Sequence, residues 1–423
     1  MLNLSRNLAS MTSITYFWIL IIIIVANYLF EQYLDYLNYK SQSASLPSEL
    51  KDVYNEEKYL KSIEYNKTRS RFSFITSAFS FLLSFILLYS GFFGWLDALL
   101  RPMINNEILL SLAYFMVLFI VSDILNTPLQ WYSTFVIEEK FGFNKTTPKL
   151  FIVDKFKGYL LSVLLGGLLG FVLLWLIHEW GQGFWWIFWV FIAGFMVFMN
   201  MFYTSLIVPL FNKLLPLEDG ELKEAIQTYA RSVKFPLDNI YVIDGSKRSS
   251  KANAYFSGIG RKKKIVLYDT LIENHTEEEL VSVLAHEVGH FKKNHIYLGL
   301  LLSILQTGLV LFIMAQMIFN INLSLALGGD VLAIHLNLIA FGLLFTPISK
   351  VTGLLFNVLS RKNEFEADQF ASLTYDGNAL INALKKLSSD NLSNLTPSKL
   401  FVFFNYSHPP LLTRLEAIRN SNS

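Results

Sequence analysis

Long apolar runs alternate with polar, charged segments along the whole chain. Seven of these runs are long enough to cross about 30 Å of hydrocarbon as helices, whose backbone hydrogen bonds are all internal. They cover approximately residues 11–30, 72–93, 107–125, 159–177, 184–206, 296–319 and 331–349. A signal peptide is the alternative for the first run, because Arg6 precedes it, but the apolar core is long and no clear small-x-small cleavage site follows. We therefore predict a mainly α-helical membrane protein with seven transmembrane helices.

Lysine and arginine are concentrated in alternate connections between the predicted spans. The connections after the first, third and fifth spans and the segment after the seventh are basic, whereas the other three connections contain only Arg101. Because basic loops stay in the cytoplasm, the N-terminus is predicted to lie outside. The two large polar segments, 211–295 and 350–423, then share the cytoplasmic side. The sequence leaves open whether the membrane is the endoplasmic reticulum of a eukaryote or the inner membrane of a bacterium.

The polar segments contain the short elements of an α+β domain. A helical pattern covers residues 220–233, and short apolar runs predict strands at 241–243 and 265–268. Thr276 and Glu279 form a predicted capping box, in which each side chain would bond the other residue's backbone N–H. A helix is therefore expected to begin at Thr276.

Composition supports a membrane chain and narrows the chemistry. Hydrophobic residues make up 53% of the 423 residues and charged residues 16%, whereas soluble domains have about 25% charged residues. The sequence has no cysteine, which excludes disulfides, iron–sulfur clusters, Cys-ligated zinc and thiol nucleophiles. A net charge of +2 is too small to favour a nucleic-acid partner, so none is predicted. A metal would have to be held by the 7 histidines, by Asp or by Glu.

His286 and His290 are the most specific chemical feature of the sequence, in the run HEVGH. Residues four apart share one face of a helix, so both imidazoles can bind one Zn²⁺. Glu287 lies about 100° further round the helix, close enough to act as the general base for a hydrolytic water. The motif therefore predicts a zinc hydrolase site that still lacks one protein ligand.

The other histidines offer no convincing third ligand. His295 follows nine residues after His286, and on a helix that continues unbroken into the sixth span it points to the opposite side. We interpret His178 and His335 as interfacial residues at the outer ends of spans. His275 precedes the helix and is expected to be a solvated loop residue.

A pair of carboxylates just after the seventh span is the better candidate. Glu364 and Asp368 are four residues apart and share a helix face. Glu364 can then bind the metal while Asp368 accepts the free N–H of a metal-bound imidazole and fixes its tautomer. Glu366 points elsewhere and is expected to be solvated.

Longer motifs are spread over nearly the whole chain, in the segments Tyr65–Phe72, Phe135–Lys145, Pro209–Lys213, Pro216–Lys223, Val242–Ser250, Asn253–Phe256 and Ile265–Leu271. With these motifs the sequence resembles the type I CAAX prenyl proteases, integral-membrane zinc endopeptidases of the gluzincin type. These runs are far more specific than the HEVGH motif, which many metalloproteases share. The resemblance implies seven spans around a water-filled chamber.

The resemblance also implies a zinc site with assigned roles. His286, His290 and Glu364 would hold one Zn²⁺ per chain, and Glu287 would be the general base. The fold class is then seven transmembrane helices with a cytoplasmic, gluzincin-like α+β zinc protease domain built from residues 211–295 and 350–423.

Four further residues take roles from the resemblance. Asn253 belongs to the family's Asn-Ala-Tyr-Phe segment, which positions the substrate backbone beside the zinc, and an exposed edge strand there could hold the substrate extended. His408 matches the late histidine expected to stabilise the developing oxyanion. Arg361 and Arg414 match as well, and we interpret both as supporting ion-pair partners.

The chain divides into two predicted regions. Residues 1–210 form a membrane region with five spans, and residues 211–423 form the zinc metalloprotease domain, which includes the last two spans.

The expected function is hydrolysis of a peptide bond in a peptide or protein substrate, beside membrane lipid. The resemblance implies prenylated CAAX-type substrates with C-terminal processing. One alternative is a membrane quality-control protease for non-prenylated substrates. Another is a transporter or lipid-handling protein with a structural zinc, against which stands Glu287, since a structural site does not require a base.

Overall fold

The structure is a computed structural model that describes residues 12–43, 45–237, 239–258 and 264–421, apart from the side chains of residues 256 and 257. Met11, the first residue of the first predicted span, lies outside the described residues. The helices are α1 Ser13–Lys40, α2 Glu56–Tyr89, α3 Phe92–Leu100, α4 Glu107–Tyr132, α5 Pro148–Leu161, α6 Gly167–Trp180, α7 Phe184–Leu206, α8 Val208–Phe211, α9 Glu221–Ser232, α10 Asp269–Asn274, α11 Glu277–Lys292, α12 His295–Met317, α13 Ile321–Ala326, α14 Ile334–Thr374, α15 Gly377–Asp390, α16 Lys399–Asn405 and α17 Leu411–Ser421. The strands are β1 Leu214–Pro216, β2 Asn239–Ile243, β3 Ala254–Ser257 and β4 Lys264–Tyr268.

Six helical stretches of the described residues are long and apolar enough to cross a membrane. They are Ser13–Lys40, Glu56–Tyr89, Glu107–Glu138, Pro148–Phe211, His295–Met317 and Ile334–Thr374. Each predicted run overlaps one of them, and the 64-residue stretch Pro148–Phe211 contains the fourth and fifth runs. A mainly helical protein with membrane spans is therefore confirmed, while the count of seven crossings and their orientation stay predictions.

A tight turn divides the longest apolar stretch. Residues Gly181–Gly183 form a single 3-10 turn between α6 and α7, and the two helices pack against each other. Gly181 has a φ of +51°, a backbone conformation that glycine adopts without steric cost. The break falls between the fourth and fifth predicted spans, as the two separate apolar runs require.

Helix α14 extends far beyond the apolar run that predicted it. Its 41 residues span about 60 Å at 1.5 Å per residue, about twice the hydrocarbon thickness of a bilayer. The second half of α14 carries Glu364 and Asp368, both of them buried. One helix thus joins the last apolar run to the carboxylate pair.

The described residues form a sheet of four strands in the order β1-β2-β4-β3. Strands β2 and β4 run parallel and contain the two predicted strands. Among these strands β3 pairs only with β4, antiparallel, so it is the edge strand that the sequence predicted around Asn253–Phe256. It also packs against α11, the helix of the two motif histidines, and against α7.

The hydrophobic core joins the two halves of the chain. Ile265 and Leu267 from β4 pack with Leu284 of α11 in one buried cluster. Tyr54, just before α2, and Tyr59, in its first turn, are buried in that same cluster. The N-terminal part of the chain therefore contributes directly to the packing that supports α11.

The predicted continuous helix from Thr276 into the sixth span is wrong. Thr276 does begin α11 with the predicted capping box, but α11 ends at Lys292 and a new helix starts at His295. Asn294 has a φ of +60°, the left-handed conformation that Asn tolerates better than most residues. The break reorients every side chain that follows it, including His295.

Two other histidines are buried. His335, in the first turn of α14, is fully buried, with Nε2 2.9 Å from Asp97 Oδ1 and Nδ1 3.0 Å from Ser111 Oγ, while its place at the membrane interface stays a prediction. His275 is buried rather than solvated, and its Nδ1 lies 3.1 Å from the Leu271 carbonyl oxygen. Both imidazoles have polar partners inside the protein, and these contacts offset the free-energy cost of removing the rings from water.

Candidate metal centre

Helix α11 presents His286 and His290 on one face, as the four-residue spacing predicts. Their Nε2 atoms lie 3.2 Å apart, and the side chains are only 10% and 18% exposed. The opposite face of the helix is held in the core by Leu280, Leu284 and Val288. Packing therefore fixes the direction in which the two imidazoles point.

Helix α14 brings Glu364 to the same point. Its Oε1 lies 3.3 Å from His290 Nε2 and its Oε2 lies 3.5 Å from His286 Nε2. The two helices approach closely at Gly289, where an added Cβ would lie 3.0 Å from the Ala367 Cα. Because Gly289 has no side chain, the Glu364 carboxylate can reach both imidazoles.

The three side chains fit a metal ion. One ligand atom from each of His286, His290 and Glu364 lies within 4.8 Å of the others. Two ligand atoms about 2.0–2.1 Å from a tetrahedral zinc are themselves about 3.3–3.4 Å apart, close to the separations given above. Glu364 Oε2 is also buried and makes no close hydrogen bond among the described residues, with His286 Nε2 and Arg414 Nη1 both 3.5 Å away, and such an atom favours a closer cation.

Asp368 contacts His286 at Nδ1, the ring nitrogen remote from Glu364, and Arg414 in turn contacts Asp368. Asp368 Oδ1 lies 2.9 Å from His286 Nδ1, so Nδ1–H donates to the carboxylate and the Nε2 lone pair is free for a metal. Arg414 donates from Nε and Nη2 to both Asp368 oxygens, at 2.8 and 2.6 Å. This two-point pairing confirms the prediction that Arg414 is an ion-pair partner.

The charges around His286 favour a cation. Burial alone would lower the pKa of His286, but the contacts with the Asp368 and Glu364 carboxylates outweigh it and raise the pKa to about 9, so a metal ion that binds Nε2 takes the place of a proton there. Glu287, Glu364 and Asp368 supply three carboxylates against the single guanidinium of Arg414. When ionised they leave an excess of two negative charges (1 − 3 = −2), which a divalent cation would balance.

His295 lies beside the site, contrary to the prediction, and contacts Glu366 of α14. His295 Nδ1 is 3.1 Å from His290 Nδ1, and His295 Nε2 is 3.2 Å from Glu366 Oε2. The expectation for His295 depended on a continuous helix, which the break at Asn294 removes. Glu366 lies on α14, is 35% exposed and is not one of the three convergent side chains. The local signal was Asn294 itself, in the polar run Lys292–Asn294 before the apolar span.

His408 reaches the site from a loop between α16 and α17. Its Nε2 lies 3.3 Å from Glu364 Oε1, although the side chain is 65% exposed. Its Nδ1 lies 3.0 Å from the Ser407 hydroxyl. The loop therefore places an imidazole beside the Glu364 carboxylate.

Arg361 does not form the predicted ion pair with any carboxylate of the described chain. It donates instead to the carbonyl oxygens of Val402 and Tyr406, at 3.2 and 2.5 Å. Asn357, one turn earlier on α14, donates to the Phe404 carbonyl at 2.7 Å. These bonds reach carbonyls in the last turn of α16 and just after it, and they dock the chain that leads to His408.

Glu287 and Asn253 lie on the two elements that border the site. Glu287 follows His286 on α11, is half-buried and is close enough to Arg414 to interact with its charge. Asn253 is exposed immediately before β3, and its Oδ1 accepts the Ala254 N–H at 2.9 Å. The roles implied for both side chains stay predictions.

We expect Asp368→Asn to weaken metal binding by about 10- to 100-fold, because the imidazole that it orients loses a charged acceptor. It should also destabilise the fold by about 3–5 kcal/mol, since the buried Arg414 guanidinium would lose its two-point carboxylate partner and keep only the longer contact of 3.5 Å to Glu364. Competition with a chelator and thermal unfolding measure the two effects. Asp390→Asn is the control, because the partly exposed Asp390–Lys58 pair contributes at most about 1 kcal/mol.

Gly289→Ala should destabilise the protein by about 1–3 kcal/mol, the usual cost of overpacking, and should also weaken metal binding. The new methyl group would press on the Ala367 backbone and move α14, with Glu364, away from α11. Gly353→Ala on α14 is the matched control, because nothing lies within 4 Å of its Cβ position. Equal unfolding temperatures for the two variants would contradict the close helix contact.

The site combines two imidazoles from an HExxH helix with a carboxylate from a second helix, in an α-helical membrane chain. This is the architecture of a membrane metallopeptidase. Family comparisons agree with this class. The description "CAAX prenyl protease N-terminal, five membrane helices" matches residues 35–213, and "Peptidase family M48" matches residues 216–422. The chain therefore belongs to peptidase family M48 and is a membrane metalloprotease.

Relatives and a solved structure extend this similarity over nearly the whole chain. A CAAX prenyl protease 1 homolog of Arabidopsis thaliana is 37% identical over 93% of this chain and 95% of its own length. CAAX prenyl protease 1 of Saccharomyces cerevisiae is 34% identical over 93% of both chains. The crystal structure of S. mikatae Ste24p has a TM-score of 0.90 at 33% identity and covers 95% of this chain and 99% of that one. The resemblance to the CAAX prenyl proteases is thus confirmed.

Proposed function

We propose that the chain is a zinc endopeptidase that processes the C-termini of prenylated, CAAX-type proteins or peptides. The observation that carries the proposal is the meeting of His286, His290 and Glu364 next to Glu287. The substrate class rests on relatives named CAAX prenyl protease 1, which match almost from end to end. The same family membership supports zinc as the metal.

In this proposal His286, His290 and Glu364 hold one zinc ion per chain. A zinc ion in such a site supplies Lewis-acid polarisation of a carbonyl group and lowers the pKa of water. Asp368 and Arg414 keep His286 in the tautomer that leaves Nε2 free. These residues fix the geometry of the metal site before the substrate binds.

Glu287 acts as the general base. Its carboxylate takes a proton from the attacking water and returns it to the leaving amine, as one group can do in both halves of a hydrolysis. The position supports this, because Glu287 adjoins a ligand on a rigid helix and is half-buried. A positioned base of this kind contributes about 10²- to 10⁴-fold in rate.

His408 donates a hydrogen bond to the oxyanion that develops during attack. When the Ser407 hydroxyl donates to Nδ1, Nε2 carries the proton and faces the metal centre. Arg361 supports this position by fixing the end of the preceding helix. Removing one such donor costs about 10²- to 10³-fold in turnover.

The edge strand β3 holds the substrate in an extended form, and Asn253 at its start contacts the substrate backbone. One edge of β3 is unpaired within the described sheet and the strand packs on α11, so an added strand would run past the metal centre. In the same proposal the chain crosses the membrane seven times, with the N-terminus outside and the site in the cytoplasm. The membrane would be the endoplasmic reticulum in a eukaryotic host or the inner membrane in a bacterium.

A matched pair of peptides tests the substrate class. The purified holoenzyme in lipid nanodiscs would receive one CAAX peptide with a farnesyl group on its cysteine and one without, and mass spectrometry would identify the products. We expect release of a short C-terminal peptide from the farnesylated form at a rate at least tenfold above the other. Equal rates would favour the quality-control alternative, and no cleavage of either would contradict the proposed protease.

A further inference from the structure

His290 has a second polar partner that the proposed mechanism does not use. Its Nε2 atom faces Glu364 and His286, whereas its Nδ1 atom faces His295 at 3.1 Å. His295 in turn contacts Glu366 through Nε2 at 3.2 Å. The side chains thus form a row that leads from the metal centre to the protein surface.

Only one arrangement of protons satisfies the whole row when His290 binds a metal through Nε2. The Nε2 lone pair must be free, so the His290 proton is on Nδ1 and donates to His295 Nδ1. His295 Nδ1 is then an acceptor, which places the His295 proton on Nε2, where it donates to the Glu366 carboxylate. Each hydrogen bond has one donor and one acceptor, and each fixes the next.

The local fold holds this row in place. On an unbroken helix, residue 295 would lie about 140° from residue 290, whereas the left-handed Asn294 turns His295 back under His290, with their ring centroids 5.2 Å apart. The His295 side chain is only 7% exposed, so water does not compete freely for its ring nitrogens. Glu366 is more open, at 35% exposed, and Lys362 Nζ lies 3.7 Å from its Oε1.

We propose that His295 is a positioning residue for the metal ligand His290, and that Glu366 orients His295. This inference rests on the metal site proposed above. His295 does for His290 what Asp368 does for His286, but through a neutral ring rather than a charged carboxylate. Both imidazole ligands are then held by a partner on their remote nitrogen, Asp368 from α14 for His286 and His295 from α12 for His290.

Metal affinity of the purified full-length protein tests this inference. Competition between the protein and a chromophoric chelator for Zn²⁺ would be measured for wild type, His295→Leu and His295→Asn. We expect His295→Leu to bind Zn²⁺ about 10- to 100-fold more weakly, as loss of an outer partner usually does. His295→Asn should recover most of the affinity, because its amide oxygen can accept the His290 Nδ1–H near the position of the lost ring nitrogen.

Two further variants separate positioning from packing. Gln306→Leu removes a hydrogen bond of 3.0 Å between α12 and Thr352 of α14, far from the metal centre on the same pair of helices, and should leave Zn²⁺ affinity unchanged. Glu366→Ala changes a partly exposed residue, so it keeps the test valid if His295→Leu does not fold, and it should weaken Zn²⁺ binding about 3- to 10-fold. Absorption bands of bound Co²⁺ should shift in His295→Leu and return towards wild type in His295→Asn.

The outcomes distinguish this inference from the proposed function. Wild-type affinity in His295→Leu, or equal weakness in His295→Leu and His295→Asn, would overturn the positioning role while leaving the zinc site intact. Failure of the wild-type protein itself to bind Zn²⁺ would instead overturn the metal site.

Discussion

Glu287→Gln should reduce peptide hydrolysis by about 10²- to 10⁴-fold, because the amide cannot take a proton from the attacking water. Glutamine has nearly the same shape as glutamate, and Glu287 is not among the three side chains whose atoms converge. The variant should therefore retain its metal and its fold. Initial rates with the farnesylated peptide, together with metal analysis of the same preparation, measure both expectations.

Glu278→Gln is the matched control for Glu287→Gln. Glu278 lies in the first turn of the same helix, away from the convergent ligands, so its loss should leave the rate within about twofold of wild type, since exposed substitutions usually have small effects. Hydrolysis at the wild-type rate in Glu287→Gln would contradict the assignment of Glu287 as the general base. Loss of both metal and activity would mean that Glu287 supports the site's structure instead.

Glu364→Gln should abolish both metal retention and activity. The neutral amide is a poor zinc ligand, and it also removes a negative charge from a site that has an excess of them. Because one of three protein ligands is lost, we expect Zn²⁺ affinity to fall by more than about 100-fold, the upper range for loss of an outer partner alone. Metal content after dialysis and the rate at saturating Zn²⁺ give the two readouts.

Glu366→Gln provides the comparison for Glu364→Gln. Glu366 lies two residues further along α14 and is more exposed, with no direct contact to the convergent ligand atoms. Its substitution should weaken Zn²⁺ binding by less than about tenfold. Normal metal content in Glu364→Gln would contradict the assignment of Glu364 as a ligand.

Chelation of the wild-type protein should remove activity, and added Zn²⁺ should restore it. Because the metal would bind only the folded chain, its removal should also lower the unfolding temperature. Activity that survives complete removal of the metal would rule out a metalloprotease mechanism. A protein that loses stability but never shows hydrolysis would match the structural-zinc alternative.

Short-range rules predicted most of the site. The four-residue spacing of His286 and His290 puts both rings on one helix face in any α-helix, and the same rule places Glu364 above Asp368 on α14. The capping box at Thr276 likewise depends only on neighbouring residues. These features were predictable because a regular helix fixes them without any tertiary contact.

Departures from regular helices were not predictable in the same way. A single left-handed residue, Asn294, ends α11 and turns His295 towards His290, where it also contacts Glu366 of α14. The local sign of this break is Asn294 in the short polar run Lys292–Asn294, directly before the apolar run of α12. Asparagine tolerates such a turn, but it occurs within helices as well.

Long-range contacts were also beyond the sequence pattern. Arg361 binds backbone carbonyls of α16 rather than a carboxylate, and His335 is buried against Asp97 from a different helix. Both outcomes depend on which elements meet in space. The close contact of α11 and α14 at Gly289 is a third such case, and the Glu364 ligand position depends on it.

A crystal structure of the metal-loaded protein, with anomalous diffraction recorded at the zinc absorption edge, tests the central claim most directly. The account predicts one strong peak per chain, about 2.0–2.1 Å from Nε2 of His286 and His290 and about 2.0–2.2 Å from a Glu364 carboxylate oxygen. A zinc peak elsewhere in the chain, or an active protein with no peak between these three residues, would contradict it.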